Sequence, residues 1–276
     1  SRQLMPGDPS DYEEGYVKEL QHMLKRRLRL LDPVEEARVR REHSVVSLRM
    51  LLEAKKDGRR KARLILQGFK EPKSWDVDSN ASPVAFPSTI KSLLFMGGEA
   101  DDIISSIDIS VAFLQSREYG PDDPPRYVTY RPYSGGKEYI FQLRGPIYGQ
   151  RSASRAWYKT VSEWLESDSM GYVRGRNEPC AFYNPVTKHR IVLFCDDFLC
   201  RGSKKATDDF YAALAAEFEC KDPSYLTEST PIVFTGMRIA LHPNAEGEGG
   251  TGVSMDQESD LLAFLESKGL DSEKLR

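Results

Sequence analysis

The sequence has few cysteines, few histidines and no long hydrophobic run. Cys180, Cys195, Cys200 and Cys220 are too few for a disulfide scaffold over 276 residues, and no two of them form Cys-x-x-Cys. His22, His43, His189 and His242 are scattered, so no zinc site is expected and solvated roles are expected for each histidine. No stretch approaches the ~18 apolar residues of a membrane-spanning helix. Ser1-Arg2-Gln3-Leu4 has none of the apolar character of a signal peptide. Position 1 is not Met and the chain stops abruptly at Lys274-Leu275-Arg276, which reads as a piece of something longer. Walker and Gly-x-Ser-x-Gly sequences are absent. Gly247-Glu248-Gly249-Gly250-Thr251-Gly252 matches the dinucleotide fingerprint in letters only. An extended Val253-Ser254-Met255 follows where that fingerprint needs a helix, so a flexible linker is expected. With reduced thiols and no membrane segment, an intracellular protein is expected.

What is present is an ordinary soluble composition, 39% apolar and 29% charged. The net charge of −3 is unevenly spread: Lys18 to Arg63 holds 15 Lys/Arg against 7 Asp/Glu. A basic stretch in an acidic chain is either a nucleic-acid footprint or a solvated helical face.

Helical spacing of Tyr16, Leu20, Met23, Leu24, Leu28 and Leu31 predicts a first helix ended by Asp32-Pro33, with a second charged helix from Val34. Arg49–Glu53 and Lys61–Leu66 flank Asp57-Gly58, a hairpin signal. Lys61 and Arg63 then share one strand face, which is either a phosphate-contacting surface or a solvated one. A helix opened by Ser82-Pro83-Val84 follows, with Gly97-Gly98 as its cap. Next come a buried strand Ile103–Asp108, a hairpin turning near Ser134-Gly135-Gly136, and a helix carrying Trp157, Val161, Trp164 and Leu165. Ile191–Cys195 and Phe198–Cys200 form a tight hairpin, followed by a helix with Phe210, Leu214 and Phe218 and a strand or hairpin from Pro231 to Leu241. Few parallel crossovers are implied. The expected fold class is α+β, a mainly antiparallel sheet with helices on one face.

Four Asp-Asp pairs occur. Asp101-Asp102 and Asp122-Asp123 read as solvated loops, and Asp208-Asp209 as first-turn helix acids favoured by the macrodipole. Asp196-Asp197 differs, because five apolar residues precede it and three follow. Adjacent like charges at the end of a buried strand are costly, and a divalent cation would remove that cost. Asp108 ends another apolar strand. Such carboxylates suit Mg²⁺, and paired ions ~4 Å apart are the usual clamp for nucleotidyl transfer. The plainer reading of Asp196-Asp197 is a polar hairpin turn.

Phe194-Cys195-Asp196-Asp197 resembles the Tyr-x-Asp-Asp box of reverse transcriptases, with Phe194-Cys195 replacing the usual Tyr-Val. Lys61-Ala62-Arg63-Leu64, Gly68-Phe69 and Ser82-Pro83-Val84 resemble the fingers segment of copia-type retrotransposon polymerases, and Ile107 to Leu114 their first catalytic motif. Tyr148-Gly149 with Arg155-Ala156-Trp157-Tyr158 is similar to the second motif, in which Ser152-Ala153-Ser154 replaces Gln-Ala-Pro. Phe218–Asp222 and Phe234–Ile239 resemble the later palm motifs, and Gln257–Lys274 the opening of the thumb.

The resemblance implies a right-hand polymerase: a charged helical extension (1–48), fingers (about 49–88 and 116–150), palm (about 89–115 and 151–241), and a linker with the start of a thumb (242–276). It implies RNA-directed DNA synthesis from deoxynucleoside triphosphates on a template-primer duplex of RNA or DNA. It also implies Mg²⁺, with Mn²⁺ as a substitute, held by Asp108, Asp196 and Asp197. Lys61, Arg63, Phe113, Tyr148, Gly149 and Lys221 would bind the nucleotide. Phe113 would lie under the sugar and exclude a 2′-hydroxyl, and Lys221 would be a candidate proton donor to pyrophosphate. Phe234, Gly236 and Met237 would grip the primer. The implied setting is a polyprotein with integrase and ribonuclease H regions, in a cytoplasmic particle or the nucleus. The alternative is a catalytically impaired, retrotransposon-derived nucleic-acid-binding protein.

Overall fold

The computed structural model describes residues 12–54, 58, 60–75, 80–95, 99, 101–132, 136–243 and 251–269. Asp57, Gly97-Gly98, Ser134-Gly135 and Gly247–Gly250, read above as turn, cap and linker residues, lie outside the described residues. The chain begins with α1 (Glu13–Arg26), β1 (Leu28–Leu30), α2 (Pro33–Glu42), β2 (Val45–Ala54), β3 (Arg60–Leu66) and α3 (Pro87–Phe95). It continues with β4 (Asp102–Asp108), β5 (Tyr127–Tyr130), β6 (Tyr139–Leu143), α4 (Ala153–Leu165), β7 (Val173–Arg174), β8 (Ala181–Tyr183), β9 (Arg190–Phe194) and β10 (Asp197–Ser203). Last come α5 (Lys204–Glu217), β11 (Ser224–Tyr225), β12 (Ile232–Phe234), β13 (Met237–Pro243), β14 (Thr251–Asp256) and α6 (Glu258–Ser267). Among the described residues no helix is long and apolar enough to cross a membrane. The chain divides into two compact units, Ser1–Ser82 with Val111–Val161, and Pro83–Ser110 with Ser162–Arg276.

The first unit holds a five-stranded sheet ordered β1-β6-β5-β2-β3, in which only β2 and β5 run parallel. Its core joins Met23, Leu48, Leu64, Val128, Phe141 and Ile147. α1 places acids in its first turn and bases in its last, which suits the macrodipole. It is shorter than the leucine spacing predicts. Leu28 leaves the helical pattern and pairs with Leu143 as edge strand β1. There backbone hydrogen bonds to β6 replace another helical turn. Asp32-Pro33 does not end that helix; it starts α2. Asp32 accepts the Val34 and Glu35 N–H groups, and Glu35 returns a bond to the Asp32 N–H, a complete capping box with proline at the first position.

β3 is a sheet edge, and two of its free N–H groups are bound from outside the sheet. Leu64 donates to the Glu19 carboxylate of α1 at 2.8 Å, and Leu66 donates to the Tyr148 carbonyl at 2.7 Å. Burial raises the pKa of Glu19. The Leu64 bond and the positive charges of Arg63 and Lys61 oppose that rise. The edge is therefore closed to further strands, and its cationic face is fixed in place.

The second unit holds a six-stranded antiparallel sheet ordered β11-β4-β10-β9-β8-β7 and a three-stranded one, β12-β13-β14. The antiparallel sheet is as expected, but its helices are not all on one face. α5 covers the face of Phe198 and Ser105: the Phe210 ring lies 5.9 Å from that of Phe198, and the Tyr211 hydroxyl donates to Ser105 at 2.8 Å. α3 covers the other face, where Arg201 donates to the Leu93 and Leu94 carbonyls at 3.1 Å each. The cause lies in β4, whose residues Ile104 to Ile107 are buried on both faces.

Two side chains expected in solvent are inside this unit. Asp102 is not a loop acid. It begins β4 with its side chain 3% exposed, and its Oδ2 faces Arg190 Nη1 at 3.2 Å and Arg201 Nε at 3.4 Å. Strand register brings both arginines there, since Ser203 pairs with Asp102 and Arg201 with Arg190. His189 is fully buried, with Nδ1 2.6 Å from the Tyr172 hydroxyl. Burial lowers its pKa to about 4, helped by the charge of Arg190, so the imidazole is neutral at physiological pH.

Candidate active site

In the second unit β9 and β10 are joined by the shortest of hairpins. Phe194 pairs with Asp197, leaving Cys195 and Asp196 as the turn. Cys195 has φ +58°, a left-handed conformation that normally calls for glycine and costs about 1 kcal/mol in another residue. On the opposite side of β10, Asp197 pairs with Asp108, the last residue of β4. The Asp196 carbonyl accepts the Ile109 N–H at 2.9 Å, which ties the turn to the end of that strand. Two of the three expected acids are thus cross-strand neighbours, and the third belongs to the turn beside them. Burial raises the Asp197 carboxyl to about pH 6, and the charges of Asp196 and Asp108 add to the rise.

Lys221 sits against this group. Its Nζ donates to Asp108 Oδ2 at 2.6 Å. The backbone holds it there: the Lys221 N–H donates to the Asp108 carbonyl at 3.0 Å, Ser110 N–H donates to Glu219 at 2.9 Å, and Ile109 bridges Cys220.

Among the described residues no three His, Cys, Asp or Glu side chains converge into a ready metal cage. The donor chemistry nevertheless fits a hard divalent cation. Two carboxylates share a cross-strand position, one of them is raised by burial and by like charge, and an ammonium already stands at the other.

The β12–β13 hairpin lies in the same unit. Phe234, expected to grip a primer, is only 1% exposed, and its ring packs edge-on to Phe194 at 6.3 Å. It is a packing residue that braces the acid hairpin. Thr235 and Gly236 form the turn, both with positive φ, so Gly236 and the half-buried Met237 form the accessible part.

The first unit holds five of the expected nucleotide residues, and side-chain contacts join three of them, Arg63, Tyr148 and Phe113. The Arg63 guanidinium lies 5.6 Å from the Tyr148 ring centroid, and the Phe113 ring lies 5.6 Å from that of Tyr148. Phe113 belongs to a short 3₁₀ turn, Ala112–Gln115, entered through Val111 at φ +46°. Lys61 shares the Arg63 face two residues earlier on β3. Gly149 is required by geometry: its φ is +81°, and a Cβ there would lie 2.2 Å from the Leu66 carbonyl oxygen. Gly149→Ala is therefore expected to cost about 2 kcal/mol in denaturant unfolding, because the Leu66–Tyr148 bond must give way. An unchanged midpoint would show that the loop accommodates a side chain.

Sequence reasoning missed Glu19 and Asp102. The signal for Glu19 was present: a carboxylate four residues before Met23, on the buried stripe of α1.

Residues 39–242 match the family described as reverse transcriptase (RNA-dependent DNA polymerase). Over 180 residues, 61% of this chain and 13% of the relative, it is 27% identical to the retrovirus-related Pol polyprotein from transposon TNT 1-94 of Nicotiana tabacum. Over 190 residues, 68% of this chain and 10% of the relative, it is 27% identical to the transposon Ty1-NL2 Gag-Pol polyprotein of Saccharomyces cerevisiae. The chain thus spans only a small part of the length of these relatives. Among solved structures it is similar to a foamy viral protease-reverse transcriptase in complex with double-stranded DNA, at 15% identity and TM-score 0.48, over 86% of this chain and 35% of that one. The chain belongs to the reverse transcriptase (RNA-dependent DNA polymerase) family, in its copia-type retrotransposon branch.

Proposed function

We propose that this chain is the polymerase portion of a copia-type retrotransposon polyprotein, extending a DNA primer on an RNA or DNA template. The observation that carries this reading is the in-register pairing of Asp108 with Asp197, with Asp196 in the adjoining turn. We read the first unit as fingers, and the second as palm with the opening of the thumb.

Asp108, Asp196 and Asp197 would hold the divalent ions. Bound there, Mg²⁺ supplies the Lewis acidity that activates a primer hydroxyl and steadies a departing pyrophosphate. The protein's own contribution is positional. The two-residue turn gives the acids little freedom, and Phe234 against Phe194 stiffens the turn from behind. In the first unit Arg63 and Lys61 offer cations to a triphosphate, and Tyr148 with Gly149 floors the nucleotide pocket. Phe113, held against Tyr148, would lie under the incoming sugar and exclude a 2′-hydroxyl. Gly236 and Met237 present backbone and thioether to a primer end.

Primer extension on poly(rA)/oligo(dT) with Mg²⁺ tests the reading. The chain is expected to add deoxythymidine, and Asp108→Asn is expected to add none. Extension by the Asn variant equal to that of the wild type would overturn the site assignment.

A further inference from the structure

Lys221 holds a position the proposed metal chemistry leaves unexplained: its ammonium is bonded to a carboxylate that should be holding a cation. We propose that Lys221 is a built-in placeholder cation, which neutralises Asp108 until a divalent ion displaces it. The inference rests on the reading of Asp108, Asp196 and Asp197 as the metal-binding acids.

Three observations carry it. The Nζ–Oδ2 distance of 2.6 Å is that of a charge-assisted hydrogen bond, so a lone pair a metal would need is engaged. The Lys221 side chain is exposed, but its backbone is anchored at the site. Its own N–H bonds to the Asp108 carbonyl, and the residues on either side of that contact are laced together by the Ser110–Glu219 bond and the Ile109–Cys220 bridge. The stem of Lys221 therefore starts beside Asp108 whatever the side chain does. Finally, the acids need a cation: Asp197 is half-buried between two other carboxylates. A single tethered ammonium relieves part of that repulsion without being consumed.

Metal binding at Asp108 then becomes an exchange of one cation for another. Two properties follow that an incidental surface ion pair would not have. The metal-free protein should lose stability when the ammonium is removed, because the carboxylates are left facing one another. The affinity for a divalent ion should rise, because its competitor is gone. The displaced ammonium would stay tethered nearby, within reach of negative charge that develops later.

The experiment titrates Mn²⁺ alone into the full chain and follows the free-ion signal by electron paramagnetic resonance. Thermal unfolding in chelator is measured alongside. Lys221→Met keeps the apolar stem and loses the charge, Lys221→Gln is a second neutral variant, and Lys221→Arg keeps the charge. Lys221→Met and Lys221→Gln are expected to bind Mn²⁺ about three- to tenfold more tightly than the wild type and to melt lower in chelator. Lys221→Arg is expected to track the wild type in both. Mn²⁺ binding that is lost in Asp197→Asn but unchanged or weaker in both neutral variants would overturn the placeholder role alone. Wild-type binding that is absent, or indifferent to Asp197→Asn, would overturn the metal-site reading and the placeholder with it.

Discussion

Asparagine at position 197 is expected to have two opposite effects: to abolish primer extension and to make the protein more stable. The loss of activity should be on the order of 10³-fold or more, as for removal of a group that acts in concert with its neighbours. The gain in stability comes from the same electrostatics. Burial and the adjoining acids raise the Asp197 carboxyl from its ordinary value to about 6 in the folded chain. A carboxyl whose folded pKa is raised contributes stability that is intact at low pH and is lost as pH rises through the folded value. The wild type is therefore penalised between about pH 4 and pH 6 and above, and the amide is not. After allowance for solvent screening the gain at pH 7 should be about 1 kcal/mol, or a few degrees in melting temperature. Calorimetry at pH 7 and again near pH 4 checks the sign: the advantage of Asp197→Asn should shrink towards the lower pH. A variant less stable than the wild type at pH 7 would mean that the carboxylate is structurally needed.

Asp102→Ala should produce the largest loss of stability in the chain. The carboxylate is 3% exposed and answers two arginines, one of which is itself well buried. Removing it takes away the buried carboxylate that Arg190 and Arg201 share, at a cost of about 3–5 kcal/mol. Urea denaturation measures this directly. Replacing all three charged residues by leucine or methionine should cost less than the single Asp102 change, because the penalty lies in the uncompensated charge rather than in the lost pair. Equal costs for the single and triple changes would place the stabilisation in packing instead.

The parts of the fold that could be read in the sequence were those encoded locally. The apolar run Ile103–Ile107 with its terminal acid and the alternation around Lys61 and Arg63 depend on neighbours a few residues away, and both are found where periodicity put them. The acid hairpin is found too, but its turn lies one residue earlier, at Cys195-Asp196, with Asp197 opening β10. The errors fall where a distant partner decides. Leu28 fits a helix perfectly well by spacing, and only the free edge of β6, more than a hundred residues later, draws it into a strand. Asp102 looks like a loop acid until strand register delivers Arg190 and Arg201. His189 carries no mark of burial in its immediate sequence; its partner is Tyr172, on another strand approach. Phe234 shows the limit of motif reading. Its place in the hairpin follows the motif, yet its side chain faces Phe194 and the interior.

The parallel pairing of β2 with β5 has a further consequence, for synthesis on the ribosome. The strands are adjacent in space, but the chain between them detours through Pro83–Ser110, which belongs to the other unit. When β2 and β3 leave the exit tunnel, the residues that complete their sheet do not yet exist. Val46 and Leu48 stay uncovered until β5 and β6 are made, and the β3 edge waits for Tyr148. Neither unit is one continuous stretch, so no single cut in the gene would release either of them whole. During translation a hydrophobic hairpin must wait through the synthesis of about eighty further residues, which makes this segment the natural client of a chaperone.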